Sequence, residues 1–177
     1  MMSEIVLLSA ALAWSLAGAG WDIASRRIPN KLTYTGIIIG ILLRAGLLGW
    51  QGFISAIAGG LLGGFIFFLL YLVRGMGAGD VKLITAIGCF TGPERILQVI
   101  LACALAGGVM AVFVMIYRKR ALATMRNIGE LLLFHASHGP QTHPTLNIDN
   151  PQSIRLPYGV AIAAGALYSF VTVVFSR

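Results

Sequence analysis

Long apolar stretches, separated by short polar segments, follow one another along this chain. A helix that crosses a bilayer needs about 20 mostly apolar residues, and six stretches approach that length. They cover residues 4–21, 32–50, 53–73, 80–92, 96–117 and 157–175. The pattern therefore predicts an all-α integral membrane protein in which about six transmembrane helices form a single domain over residues 1–177.

The fourth predicted span is shorter than the others. Residues 80–92 would rise only about 20 Å as a helix, whereas the hydrocarbon core of a bilayer is about 30 Å thick. If Pro93 marks the outer boundary, Asp80 lies inside the membrane and the glycines before it form non-helical backbone. Such backbone is tolerated only where protein or a water-filled cavity covers it. We therefore expect Asp80 to line a wet cleft.

One substantial polar segment interrupts the apolar pattern, at about residues 121–155. Its first part, residues 125–134, mixes charged and large apolar side chains, which is typical of a helix lying at the membrane interface. The remainder contains Gly139, Pro140, Pro144 and Pro151 and is predicted to be a cytoplasmic or interfacial loop.

Composition supports a membrane protein. The chain is 58% hydrophobic and 11% charged, with a mean hydropathy of +0.86, whereas soluble domains carry about 25% charged residues. The net charge of +7 could suggest nucleic acid, but the basic residues lie between the apolar stretches. Their positions therefore indicate topology, and no nucleic-acid partner is expected.

The basic residues also predict an orientation. Alternating spans place most of them on the same side as the connector at residues 25–31, and cytoplasmic loops carry an excess of Lys and Arg. Both termini are then outside, and the carboxylates described below lie towards the cytoplasm. An aromatic belt is predicted at the inner ends of the spans, formed by Trp21, Tyr34, Tyr71, Tyr117 and Tyr158.

Two aspartates occupy the ends of predicted spans, where an ionisable side chain is a functional candidate. Asp22 follows the first apolar stretch, and Asp80 follows Gly77 and Gly79, whose missing Cβ atoms let the backbone approach a peptide closely. Two carboxylates held together in a low-dielectric site share a proton. One can take a proton from an attacking water while the other protonates the scissile carbonyl. The pair indicates an aspartic protease, with the two roles left unassigned.

Other interpretations of these residues remain open. Asp22 could pair with Arg26 at i,i+4, and Asp80 could cap the fourth helix. The pair could also serve as relay groups of a proton-coupled transporter with six helices, or as structural residues of a secretion-system scaffold. Lys82 is expected to anchor the cytoplasmic helix end by snorkelling.

Three histidines give a weaker signal. His135, His138 and His143 fall in the polar segment, at spacings that could suit a metal, but loops rich in Pro and Gly seldom make good metal sites. No serine lies on a recognisable nucleophile turn, which disfavours a serine triad. We expect neither a metal nor another cofactor.

The stretch Gly77-Ala78-Gly79-Asp80-Val81-Lys82 resembles the GxGD motif of the type IV prepilin peptidases, a family of membrane aspartic proteases. Asp22 with Arg27-Ile28-Pro29-Asn30 resembles the family's other signature, an aspartate that ends the first helix before a basic Ile-Pro-Asn turn. Arg155-Leu156-Pro157-Tyr158-Gly159 resembles the Pro-aromatic-Gly opening of the last helix.

The resemblance implies an endopeptidase of the bacterial inner membrane that cleaves the leader of prepilins or pseudopilins at the cytoplasmic face. Asp22 and Asp80 would be catalytic, and the motif residues would support them: Gly77, Gly79, Lys82, Arg27, Pro29, Asn30, Pro157 and Gly159. Larger members carry an insertion with paired CxxC motifs and methylate the new amino terminus. Here only residues 25–31 separate the first two spans, so methylation is not expected, and the chain looks like the short Tad/Cpa (Flp pilus) peptidases. The prepilin and the lipid bilayer are the expected partners, and self-association is left open.

Overall fold

The computed structural model describes residues 2–119, 121–139, 141, 143–146 and 156–175, and all the regular structure of these residues is α-helical. The five helices are α1 (Met2–Ser25), α2 (Asn30–Leu72), α3 (Ala78–Tyr117), α4 (Ala121–His138) and α5 (Tyr158–Phe175). Among the described residues, α1, α2, α3 and α5 are long and apolar enough to cross a membrane. The prediction of an all-α protein with helices able to cross a membrane is therefore confirmed.

Helix α2 folds back on itself at one glycine. Gly49 has φ 65° and ψ −149°, a non-helical conformation that favours a residue without Cβ. Across this break Arg44 Nε donates a hydrogen bond to Ser55 Oγ at 3.2 Å. Eleven residues of straight helix would hold these positions about 16 Å apart. The chain therefore reverses at Gly49, and α2 consists of two antiparallel segments.

Helix α3 reverses in the same way at Gly92, which has φ 74° and is followed by Pro93. Proline has no amide hydrogen to continue the helical hydrogen bonds. A Cβ placed on Gly63 would meet both Ile84 and Ile96, so these two residues flank one point on α2. The segment before the break is short and begins at Ala78.

The two reversals account for the predicted spans. The second and third stretches, predicted to meet at residues 50–53, are the two segments of α2, and the fourth and fifth, predicted to meet at 92–96, are those of α3. The described residues thus form six apolar helical segments within four candidate membrane helices. That each segment crosses the bilayer stays a prediction.

The first segment of α3 lies at the centre of the bundle. Leu83, Ile84, Ile87 and Phe90 are fully buried. Helix α2 packs on it through glycines, because a Cβ on Gly36, Gly40, Gly59, Gly60, Gly63 or Gly64 would meet atoms of α3 or α1. Small residues let membrane helices approach closely. These six glycines therefore serve helix packing.

Helix α4 is longer than the predicted interfacial helix at 125–134 and includes His135 and His138, which were expected in a loop. Most of its large apolar side chains are exposed, among them Leu122, Met125, Leu132 and Leu133. Most of the predicted loop beyond it, including Pro140 and Pro151, lies outside the described residues, as does Arg155.

Candidate active site

Asp22 lies one turn before the end of α1 and is only 7% exposed. The helix ends because Arg26 adopts a left-handed conformation, φ 53°, while its amide still donates to the Asp22 carbonyl at 2.9 Å. The carboxylate turns towards α5, where Asp22 Oδ2 accepts a hydrogen bond from the Gly159 amide at 2.9 Å. A carboxylate is a favourable partner for an amide at a helix amino terminus. Asp22 therefore joins the end of α1 to the start of α5.

Asp80 lies in the first turn of α3. Gly77 is the N-cap residue, with φ −82° and ψ 149°, and its carbonyl accepts the Asp80 amide at 3.1 Å. A Cβ on Gly77 would come 3.3 Å from Asp80 Oδ2. The glycine therefore keeps side-chain atoms away from this carboxylate, which is partly exposed. Gly77 occupies the N-cap position, and its amide donates a hydrogen bond to the Asp80 carboxyl group, so the alternative that Asp80 helps to cap this helix start stays open.

Antiparallel packing of α1 on α3 brings the two aspartates to the same end of the bundle. Trp14 contacts Phe90, with ring centroids 6.0 Å apart, and a Cβ on Gly18 would meet Leu83. Asp22 lies one turn beyond Gly18 on α1, and Asp80 lies one turn before Leu83 on α3. Their charges lie near enough to interact. The two predicted catalytic side chains thus come from different helices and lie at the same end of the bundle, near the first turn of α5.

Tyr158 completes this end of the bundle from α5. Its ring packs edge-on against Phe67, with centroids 6.0 Å apart, and a Cβ on Gly107 would meet the ring. The residue is half-buried and within electrostatic range of Asp80. Tyr158 therefore packs inside the bundle, which corrects its assignment to an aromatic belt.

The remaining motif residues lie at or just before the starts of α2, α3 and α5. Gly79 packs on Ile28, because a Cβ there would lie 3.2 Å from Ile28 Cβ. Pro29 is the N-cap residue of α2, and Pro157 is half-buried with its carbonyl accepting the Val160 amide at 3.1 Å. Arg27 is exposed, and its carbonyl accepts a hydrogen bond from Ser25 Oγ at 2.9 Å.

Lys82 contacts two side chains of α2. Its Nζ donates to Asn30 Oδ1 at 2.9 Å and lies 5.1 Å from the centroid of the Tyr34 ring. Sequence reasoning missed Tyr34 and Ile28 as contacts of this region. The only available signal was that Tyr34 follows Asn30 by four residues, which places both on one face of a helix.

The histidines form a packing cluster on α4. His143 lies over Phe134, with ring centroids 4.6 Å apart, and its Nε2 is 3.5 Å from Glu130 Oε1. His143 Nδ1 accepts the Leu146 amide at 3.0 Å. Within the part of the chain that the structure describes, no group of three or more His, Cys, Asp or Glu side chains is arranged to hold a metal ion.

The four long apolar helices are typical of a helical membrane protein. Asp22 and Asp80, at one end of the bundle, are side chains suited to acid–base chemistry. The sequence model of the type IV leader peptidase family matches residues 9–112, more than half of the chain, and the chain belongs to this family. Both aspartates fall within the matched residues, whereas Pro157 and Gly159 lie beyond them. No curated protein and no solved structure matches the chain.

Proposed function

We propose that this protein is a membrane aspartic endopeptidase that removes the leader peptide of type IV prepilins or pseudopilins. The observation that carries the proposal is the convergence of Asp22 and Asp80 at one end of the bundle, in a chain that belongs to a peptidase family. The reaction needs water and the two carboxylates, with no cofactor.

The contacts of Asp22 suit the role of general base. Gly159 donates to Oδ2, so Oδ1 is the oxygen that can accept a proton from water. Donation by an amide at a helix amino terminus favours a carboxylate there. With Asp22 as the base, Asp80 is the general acid of the pair, and the Gly77 amide at the start of α3 donates a hydrogen bond to its carboxyl group.

The proposed reaction balances within the pair. Asp22 takes a proton from water as the water oxygen attacks the scissile carbonyl carbon, and Asp80 gives its proton to the carbonyl oxygen. Asp22 then returns a proton to the amide nitrogen as the C–N bond breaks. Collapse of the tetrahedral diol returns a proton to Asp80. The products are the leader, with a new carboxyl terminus, and the mature pilin, with a new amino terminus.

The apolar segments and the basic connector support the proposed location in the membrane. All six segments of α1, α2, α3 and α5 would cross the bacterial inner membrane. Arg26, Arg27 and Lys31 are exposed beside the aspartates, and such a basic loop belongs on the cytoplasmic side. The site would then meet the leader where it emerges from the hydrophobic segment of the prepilin. Because the connector between α1 and α2 carries no cysteine-rich insertion, the new amino terminus of the mature pilin would stay unmethylated.

The test is co-expression in bacteria with an epitope-tagged prepilin that carries its uncut leader. Wild type should shorten the prepilin, and sequencing of the product should place the cut at the leader boundary, with an unmodified amino terminus. Asp22→Asn and Asp80→Asn should each abolish processing while accumulating in the membrane at the wild-type level. Glu94→Gln, which removes an exposed acid far from the site, should process normally.

Processing that survives Asp80→Asn would contradict the aspartic mechanism and favour a scaffold with structural acids. A wild-type protein that cuts none of several prepilins would contradict the substrate class.

A further inference from the structure

We propose that Lys82 and Asn30 are positioning residues that clamp the start of α3, with Asp80, against the connector that leads from Asp22; the role in catalysis rests on the proposed function. Lys82 Nζ donates to Asn30 Oδ1 at 2.9 Å, across 52 residues of sequence. The same ammonium lies 5.1 Å from the ring centroid of Tyr34, one turn further along α2. Two side chains on one face of α2 therefore hold one lysine of α3.

A second contact reinforces the first. Ile28 is only 9% exposed, and a Cβ on Gly79 would lie 3.2 Å from Ile28 Cβ. The first turns of α3 are thus held immediately before Asp80, at Gly79, and two residues after it, at Lys82. Both partners, Ile28 and Asn30, lie at the junction between α1 and α2.

This junction is short and conformationally restricted, so its position is coupled to that of Asp22. Only residues 26–29 separate α1 from α2. Arg26 has φ 53° and donates its amide to the Asp22 carbonyl, and Pro29, with φ −63°, is fixed by its ring. A shift of Asn30 relative to Lys82 would therefore change the spacing of the two carboxylates.

The clamp acts on geometry without touching the reacting atoms. Residues two apart on a helix point in different directions, so the Lys82 ammonium is directed to α2 while Asp80 faces the site. Two carboxylates that share a proton and a water must be held to a fraction of an ångström. Loss of the clamp should therefore slow the chemical step more than it weakens substrate binding.

A kinetic double-mutant cycle on the full-length protein in nanodiscs tests this role, with a synthetic leader-containing prepilin peptide as substrate. Asn30→Ala and Lys82→Met should each lower kcat about 10- to 30-fold with KM changed less than about 2-fold. The double variant should be no slower than the slower single variant. Asn30→Asp, which keeps an acceptor for the ammonium, should retain kcat within about 3-fold. Lys31→Met, a matched loss of an adjacent exposed lysine, should match wild type.

A distance measurement separates the clamp from the proposed activity. Spin labels at Ile23→Cys and Ala78→Cys, in protein with Cys89 and Cys103 replaced by alanine, report the spacing of α1 and α3 at exposed positions. The distance distribution should broaden in Lys82→Met and stay narrow in Lys31→Met.

Additive losses in the cycle, a change confined to KM, or an unbroadened distribution would each overturn the clamp. If wild type cleaves no peptide at all, the proposed function fails, and the label distances still decide whether Lys82 and Asn30 hold the helices.

Discussion

The two ends of the helical bundle use buried charge in different ways. At one end Arg44, 8% exposed, donates from Nη1 to the Phe90 carbonyl at 2.8 Å and from Nε to Ser55 Oγ at 3.2 Å. The Phe90 carbonyl precedes the break at Gly92, where the helix can no longer supply an amide four residues on. Arg44 thus replaces a missing backbone donor and joins both halves of α2 to the break in α3.

At the other end the aspartates are surrounded by glycine. Glu4 lines the small cavity beside Arg44, and Asp22 lies 18 residues later on α1, about 27 Å away along the helix. There Gly159 donates its amide to Asp22, and Gly77 leaves the space beside Asp80 free of side-chain atoms. At the Arg44 end a charged side chain closes the helix ends, whereas here glycine backbone lies beside each carboxyl group.

The charged residues at the two ends are therefore expected to serve different purposes, stability at the Arg44 end and catalysis at the aspartate end. A charge inside a membrane protein is costly and needs a reason. Arg44 is accounted for by the backbone and hydroxyl groups it satisfies, so its loss should lower stability. Asp22 and Asp80 are accounted for by a reaction, so their loss should lower activity and leave the fold intact.

The largest effect that tests this contrast is expected from Arg44→Met. The substitution keeps much of the volume but leaves the Phe90 carbonyl and Ser55 hydroxyl without the guanidinium, which should lower the free energy of unfolding by about 2–4 kcal/mol. Thermal unfolding of the purified protein measures it. Arg95→Met removes a partly exposed arginine 3.8 Å from Glu4 and should cost less than about 1 kcal/mol. Equal losses for the two variants would contradict a special role for Arg44.

A smaller effect, on activity, is expected from Gly159→Ala. The new methyl would lie 3.1 Å from Asp22 Cβ and 3.2 Å from Ala19 Cα, so the carboxylate must move by a few tenths of an ångström. We expect kcat to fall about 10-fold, which corresponds to about 1.4 kcal/mol. Gly108→Ala is the matched control, because a Cβ there meets nothing within 4 Å. Equal rates for the two variants would show that the contact with Gly159 does not position Asp22.

The smallest effect is expected from the histidine cluster. His143→Gln removes the ring that packs on Phe134, on a helix remote in sequence from both aspartates. Cleavage rates should stay within about 2-fold of wild type, and a metal chelator should leave them unchanged, because the proposed chemistry uses only carboxylates and water. Inhibition by the chelator that added zinc reverses would instead support a metal-dependent enzyme.

Local signals in the sequence were enough to find the helical segments. Gly49 and Gly92-Pro93 lie between strongly apolar stretches, and both glycine with positive φ and proline interrupt a helix for local reasons. The ends of α4 were missed because the residues outside 125–134 carry no strong apolar period, so the helix was predicted to be shorter than Ala121–His138.

Long-range partners could not be predicted from local pattern. The approach of Gly159 to Asp22 joins residues 137 apart, and Lys82 reaches Asn30 across 52 residues. Each contact depends on how helices pack, about which the apolar period of a single helix says nothing. Lys82 was therefore interpreted only from its place at a helix end.

The most direct test of the contrast between the two ends is the rate at which purified Asp80→Asn cleaves a synthetic prepilin peptide in nanodiscs, measured by mass spectrometry beside wild type and Arg44→Met. Asp80→Asn should unfold at the wild-type temperature and show no cleavage above the uncatalysed background. Arg44→Met should unfold at a lower temperature and, below that temperature, cleave at close to the wild-type rate. Cleavage by folded Asp80→Asn at a rate near that of wild type would contradict the assignment of the chemistry to the aspartate end.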